Sequence, residues 1–380
     1  MHVERLCWRD ATGWSRSSSR CARADLVLYF GGRAGLSDER HHELAALYPV
    51  ARILGCSSAG QIVDGQLHDG GIDAVAVSFD ATRVALAAEA VPTPDGSRAC
   101  GEAIGRALAA DDLAGVLVLA DGREVDGDDL IEGLAAAVGR SVPLIGGMAA
   151  DGADFTVTLV GADAPPRRKM VGAVGFYGDA IRIGHGCAGG WDVFGPLRQV
   201  TRAEGNTIFE FDGEPALDLY ERYLGEEEAR GLPGTALRFP LRLHDPDRPY
   251  SPIIRTVFAV DRVARSLTLC TRVPEGWVSQ MMRGSFERLA SGAARAARRA
   301  AAGAADRDGL AILVSCVGRR LLMGQRVADE LEDADAELGA RMARLGFYSY
   351  GEIAPDDMSG ICEVHNQTMV VATLSEDGGR

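Results

Sequence analysis

From residue 25 onward, short apolar runs rich in Val, Leu and Ile alternate with stretches of helical period. Apolar runs of that length between polar turns are the pattern of strands buried on both faces, and they predict strands at 25–30, 51–57, 73–79, 115–121, 142–147, 155–161 and 170–178. The stretches between them predict helices near 37–47, 96–110 and 127–138. The last of these opens on Asp128 and Asp129, which suit the positive end of a helix. A Gly-rich turn is expected at 184–196, and a boundary near 214. A helix over 215–225 follows, with Pro215 in its first turn and Gly225 as its stop. Beyond it FPLRL, IIRTVFAVD and SLTLCTRV read as consecutive strands, and 279–303 as one long helix. This alternation predicts an α/β protein of two related α/β units, with mixed sheets flanked by helices.

The order of elements is written twice. LVLYFGGR, a helix, ARILGCSSAGQI, an acidic loop and DAVAVSF are matched later by AILVSCVGRR, a helix, RLGFYSYGEI, an acidic loop and HNQTMVVATL. GCSSAGQI (55–62) and GFYSYGEI (346–353) therefore occupy the same place, where a strand breaks into Gly and small polar residues. GVLVLADGR, a helix, VPLIGGMAADG and FTVTLVG form a weaker third copy. Open α/β folds bind ligands at the carboxyl ends of their strands, so a ligand crevice is expected at these Gly-rich turns.

Charge narrows the choice of ligand. The 380 residues carry a formal net charge of -14, which repels nucleic-acid backbones and anionic membranes and favours a small molecule or another protein. The tract AARAARRAAAGAA inside the predicted long helix then reads as a solvated helix face. The eight cysteines stand singly, without CxxC or CxxCH, so neither a zinc knuckle nor c-type haem attachment is expected, and reduced thiols in the cytoplasm fit. Residues 1–24, set apart as an N-terminal extension, hold no apolar signal core, and no apolar run reaches the length of a spanning helix. A cytoplasmic location is expected.

Three motifs carry candidate chemistry. GCSSA has the outline of a nucleophile elbow, with Ser57 at its serine and Ala59 in place of the last Gly. A hydrolase also needs an acid and a histidine; His185 and His365 alone stand in motif-like settings, and GFYSYG lacks the signature. The chain therefore reads as a non-enzyme, with serine hydrolase as an alternative. Cys316 ends a buried strand beside Arg319 and Arg320, whose charge favours thiolate; the other reading is a small hydrophobe that finishes a core strand. His365 reads either as an imidazole aimed into the crevice or as a cap on loop backbone.

The segments DLVLYFGGR, ILGCSSAGQI, LIGGMAADGADFTVTLVG, GGWDVFGPLRQVTRAEGNTIFEFDGEPALDLYERYLG, SCVGRRLLMGQR, GFYSYGEIAP and HNQTMVVATLSE follow one another in the order found in FIST proteins, which the chain resembles from about residue 25 to residue 374. The resemblance implies a FIST N-terminal domain over 25–214 and a FIST C-terminal domain over 215–375. It also implies a sensor of a small ligand, such as an amino acid or similar metabolite, and not an enzyme. One branch resembles haem-binding nitric-oxide sensors, so haem b is the alternative to having no cofactor, with His365 or His185 as axial ligand; no other metal is expected. Gln61 stands where an acid is common in related sequences, and Ala150 interrupts a stretch usually written AGD. The two sensor parts use up the length, so the signal is expected to pass to a separate protein such as a histidine kinase or cyclase. The crevice is expected to gather Gly55, Cys56, Ser57, Ser58, Gly147, Cys316, Arg319, Tyr348, Ser349, Glu352 and His365.

Overall fold

A computed structural model describes residues 1–17, 21, 23–246, 252–302, 307–357 and 359–377. The first unit pairs the parallel strands Leu26–Gly31 and Arg52–Ser57 around helix Asp38–Leu47, which starts where the Ser37 hydroxyl accepts the Arg40 N–H. Strand Ile72–Ser78 flanks them antiparallel, and the hairpin His2–Arg9 and Gly13–Arg16 extends the sheet. The second unit repeats the plan with Leu113–Ala120, helix Gly127–Val138 capped by Asp126, and Leu144–Met148. Met170–Tyr177 and Arg83–Ala90 lie beyond. The third uses Gly309–Cys316, helices Val317–Met323 and Val327–Ala336, and Met342–Ser349, flanked by Met369–Glu376 and Ile181–Ala188. The copy that is weak in sequence is thus a full unit.

The three units are locked by an exchange of strands. After the second parallel strand of each unit, the chain turns and crosses to the sheet of another. Gln61–Val63 pairs with Met342–Ser349, Gly351–Pro355 with Leu144–Met148, and Val160–Ala162 with Arg52–Ser57. The registers superpose: Gly346 faces Ile62, Gly146 faces Ile353, and Gly55 faces Gly161. At Gly55, Gly146 and Gly346 a Cβ would overlap the carbonyl of Tyr29, Val118 and Leu313 respectively, which is why all three copies keep glycine there.

The inner faces of the three sheets meet in one core, where Phe30 stacks on Phe347 at 4.3 Å among Leu117, Val174, Ile312 and Val370. Helices cover the outer faces. Helix Phe286–Ala300 buries an Ala/Gly face against Gly184 and Gly186 and leaves Arg295, Arg298 and Arg299 exposed, as the solvated-face reading expects. Residues 191–284 build a separate nine-stranded sheet packed on helix Ala216–Leu224, inserted between strand Ile181–Ala188 and helix Phe286–Ala300. Among the described residues no helix is long and apolar enough to cross a membrane.

Three expectations give way. In the strand expected at 155–161, only Val160–Ala162 pairs; the N–H groups of Thr156 and Val157 go to the Asp151 carboxylate instead of a ladder. The turn expected at 184–196 is instead occupied by the end of strand Ile181–Ala188 and by strand Trp191–Val193, and Gly184, Gly186 and Gly190 serve close packing on helix Phe286–Ala300. The helix expected from 279 begins after Ser285, because Val278–Gly284 pairs with distant strands at 191–193 and 241–244.

Candidate functional site

The three strand-end turns meet in a ring of backbone hydrogen bonds. Ala59 N–H donates to the Tyr348 carbonyl, Tyr350 N–H to Met148, and Ala150 N–H to Ser57, at 2.9, 3.1 and 3.0 Å. The two octapeptides are therefore joined directly, and the third copy closes the ring. The turns also share a side-chain device. Ser349 Oγ donates to Glu352 at 2.7 Å, and at the matching place Ser58 Oγ donates to the amide oxygen of Gln61 at 2.7 Å. That oxygen also accepts the Gly32 N–H, and the Gln61 NH₂ donates to the carbonyls of His68 and Gly70. A carboxylate at position 61 would face those two carbonyls with no donor to offer, so glutamine suits this turn.

Beside the ring a crevice of about 250 Å³ opens over Gly32, Arg33, Ser58–Gln61, Asp69, Asp151, Asp154 and Arg320. Arg320, on the short helix Val317–Met323, is held by the Ala59 carbonyl and by both oxygens of Asp69 at 2.7 and 2.8 Å. Arg33 is held loosely: it bonds Thr156 Oγ1 at 2.9 Å but stands 3.9 Å from Asp151 and Asp154. Asp151 is already saturated. Burial works to raise its carboxyl, and the bonds from Tyr350 Oη and from Val157 and Thr156 hold it below the usual range. The loosely paired groups facing the opening are thus one guanidinium, Arg33, and one exposed carboxylate, Asp154.

Of the expected crevice residues, Ser58 lines the opening. Gly55, Cys56 and Gly147 lie in core strands, where a Cβ on Gly147 would press on Val314. Ser57 is fully buried and its Oγ accepts the Leu159 N–H at 2.9 Å, which differs from the exposed hydroxyl of a nucleophile elbow. Arg319 is fully buried: Nε and Nη2 hold Glu330 at 2.7 and 2.6 Å, Nη2 also reaches the Leu289 carbonyl, and Nη1 reaches those of Gly189 and Gln367. Tyr348 and Ser315 donate to the same Glu330. Glu352 is buried and accepts from Ser349 and from Thr368 N–H and Oγ1. Burial drives the Cys316 thiol well above its ordinary value, against the thiolate reading and in favour of a core-finishing residue. The crevice is also lined by Arg33, Asp69, Asp154 and Arg320, which the sequence reading had not assigned to it; for Arg33 a signal was present in FGGR, where an arginine follows a strand that ends in glycine, and nothing local marked the two aspartates.

A haem would need a ring nitrogen presented to an open slot. His365 is buried, its Nε2 lies 3.1 Å from the Ala354 carbonyl, and burial keeps the ring neutral. His185 is half-buried with Nδ1 unbonded, but like His365 it lines neither this crevice nor the cleft beside helix Gly127–Val138. The two histidines do not fit an axial role in this arrangement. Among the described residues no group of three or more His, Cys, Asp or Glu is placed to hold a metal ion.

Residues 25–214 match the FIST N domain and residues 216–355 the FIST C domain. No curated protein matches the chain. FIST domains are sensory domains of signal transduction that bind small ligands. The two matches cover nearly the whole chain, and the protein belongs to the FIST family.

Proposed function

We infer that the protein senses a small zwitterion, an amino acid or similar metabolite, in the junction crevice and passes the signal to a separate cytoplasmic protein such as a histidine kinase or cyclase. The observation that carries this reading is the pair of loosely held opposite charges, Arg33 and Asp154, over a crevice bordered by the hydrogen-bonded turns. A ligand carboxylate takes the Arg33 guanidinium, and its ammonium group takes Asp154. The route onward is short. Arg320, at the crevice, follows Arg319 in one helix, and Arg319 ties that helix to the carbonyls of Gly189, Leu289 and Gln367 beside the inserted sheet. A ligand that favours one arrangement of these ties shifts the population toward it.

The test is calorimetric titration with a panel of amino acids, on wild type, Arg33→Ala and Asp154→Asn. Saturable binding lost in both variants supports the reading; binding with affinity unchanged in both refutes the crevice. A stoichiometric Soret band on haem addition, lost in His365→Ala or His185→Ala, would replace this reading with the haem sensor.

A further inference from the structure

A second cleft, of about 360 Å³, opens between the first turns of helix Gly127–Val138 and the inserted sheet, away from the junction. That volume lies at the lower end of small-molecule sites. Arg255, 2% exposed, is part of its wall. Its Nη1 donates to the Val364 carbonyl at 2.8 Å, and Nη2 by itself meets both oxygens of Asp128, at 3.1 and 3.2 Å. Nε shares the Asp128-facing edge of the guanidinium with Nη2 and has no acceptor. A carboxylate laid along that edge takes one N–H on each oxygen, the stronger bidentate arrangement. A buried donor without a partner is destabilising, so the half-used edge is a place an incoming carboxylate improves. Asp128 is free to yield it, since its side chain is 40% exposed.

The rest of the cleft disfavours a plain anion. Six carboxylates line it, Asp126, Asp128, Asp129, Glu132, Asp245 and Glu363, against three guanidiniums, Arg140, Arg255 and Arg272. Arg98 accounts for Glu132 at 2.7 Å. Desolvation and the neighbouring Asp126 push the Asp129 carboxyl up, so a cation placed there is welcome. Trp277 and Ile253 supply an apolar wall for an alkyl chain or a guanidinium plane. We propose that this cleft binds a small carboxylate bearing an ammonium or guanidinium group at its far end, with the carboxylate on the Nε–Nη2 edge of Arg255 and the displaced Asp128 joining Asp129 around the cation. The site is independent of the junction crevice.

Calorimetric titration of the whole protein with 4-guanidinobutyrate and with butyrate tests it. 4-Guanidinobutyrate binds saturably, and Arg255→Lys, which keeps the charge and loses the fork, weakens it about tenfold or more. Because position 255 is buried, a second variant on the half-exposed partner carries the decision: Asp128→Asn removes the internal competitor, so butyrate binds at least about threefold tighter than to wild type. Absence of saturable binding up to about 10 mM, an affinity for butyrate unchanged in Asp128→Asn, or loss of 4-guanidinobutyrate binding in Arg33→Ala overturns the proposal. The last result would place the probe in the junction crevice.

Discussion

Replacing Glu352 by Gln keeps the shape of the side chain and removes its ability to ionise. Burial raises the Glu352 carboxyl to about 8 against the opposing bonds from Ser349 and Thr368, where the unfolded chain titrates near 4.5. Below 4.5 the group is protonated in both states and its full contribution to stability is present. As pH rises from 4.5 to 8 the unfolded chain releases a proton that the folded protein keeps, so unfolding gains ground at every step. The interval corresponds to about 5 kcal/mol, lost by the wild type and not by Glu352→Gln. Urea midpoints of both proteins at pH 5, 7 and 9 read it out. The variant gains on wild type as pH rises, by on the order of 1 M or more in midpoint with a slope of a few kcal/mol per M. A difference that stays flat, or a variant that falls behind at pH 9, would show that the hydrogen bonds to the carboxylate outweigh its desolvation and would refute the reasoning.

Arg319→Met leaves Glu330 buried without its cation and should cost about 3–5 kcal/mol in urea unfolding, with Arg319→Met/Glu330→Leu recovering part of it; a loss under about 1 kcal/mol would contradict the buried pair. At Glu376, burial works to raise the carboxyl, and the N–H groups of Asp80, Ala81 and Thr82 with the Thr82 hydroxyl overcome it and hold it at about 2. That contributes about 3 kcal/mol above pH 4.5, lost as pH falls toward 2, so Glu376→Gln is less stable at pH 7 and has a flatter acid limb in thermal melts from pH 7 to 2. Gly146→Ala should cost about 2 kcal/mol or more, since φ is +139° and a Cβ meets the Val118 carbonyl, whereas Gly139→Ala, at φ +98° with open space around it, should cost about 1 kcal/mol. Equal losses in urea unfolding would deny the close approach at the ring.

The parallel strands at 26–31, 52–57, 113–120 and 309–316 were legible because burial on both faces leaves an unbroken apolar run. The exchanged strands were not. Gln61–Val63 and Val160–Ala162 span three residues each, and their partners lie far away in the chain, so nothing local reveals the pairing. At the candidate site, the sequence reading named Arg319, whereas the arginine that lines the crevice is Arg320. Arg319 and Arg320 are adjacent and chemically alike, but successive helical residues diverge by about 100°, which sends one to buried Glu330 and the other to exposed Asp69. Glu330 sits in the acidic run VADELEDADA, where one buried carboxylate looks like its exposed neighbours.

The approximate threefold plan explains why the crevice opens over the first turn, with the Asp151–Asp154 loop of the second on its far side. At the third turn, Glu352 is covered by Thr368, and Trp191 from the inserted region donates to the neighbouring Gln367 carbonyl at 2.8 Å. At the second, Tyr350 closes on Asp151 and stacks on Phe155 at 4.7 Å. At the first, Gln61 turns its amide inward to His68 and Gly70, and no aromatic lid is among the residues around the opening. The three turns are covered differently, and the first, left without such a cover, is where function is expected to have overridden symmetry. Replacing Gln61 by Glu therefore tests site and scaffold together: it sets a carboxylate against two carbonyls, so amide hydrogen exchange should quicken at residues 68–70 and stay unchanged at Thr156, Val157 and Thr368, and an equal change at all of them would refute it.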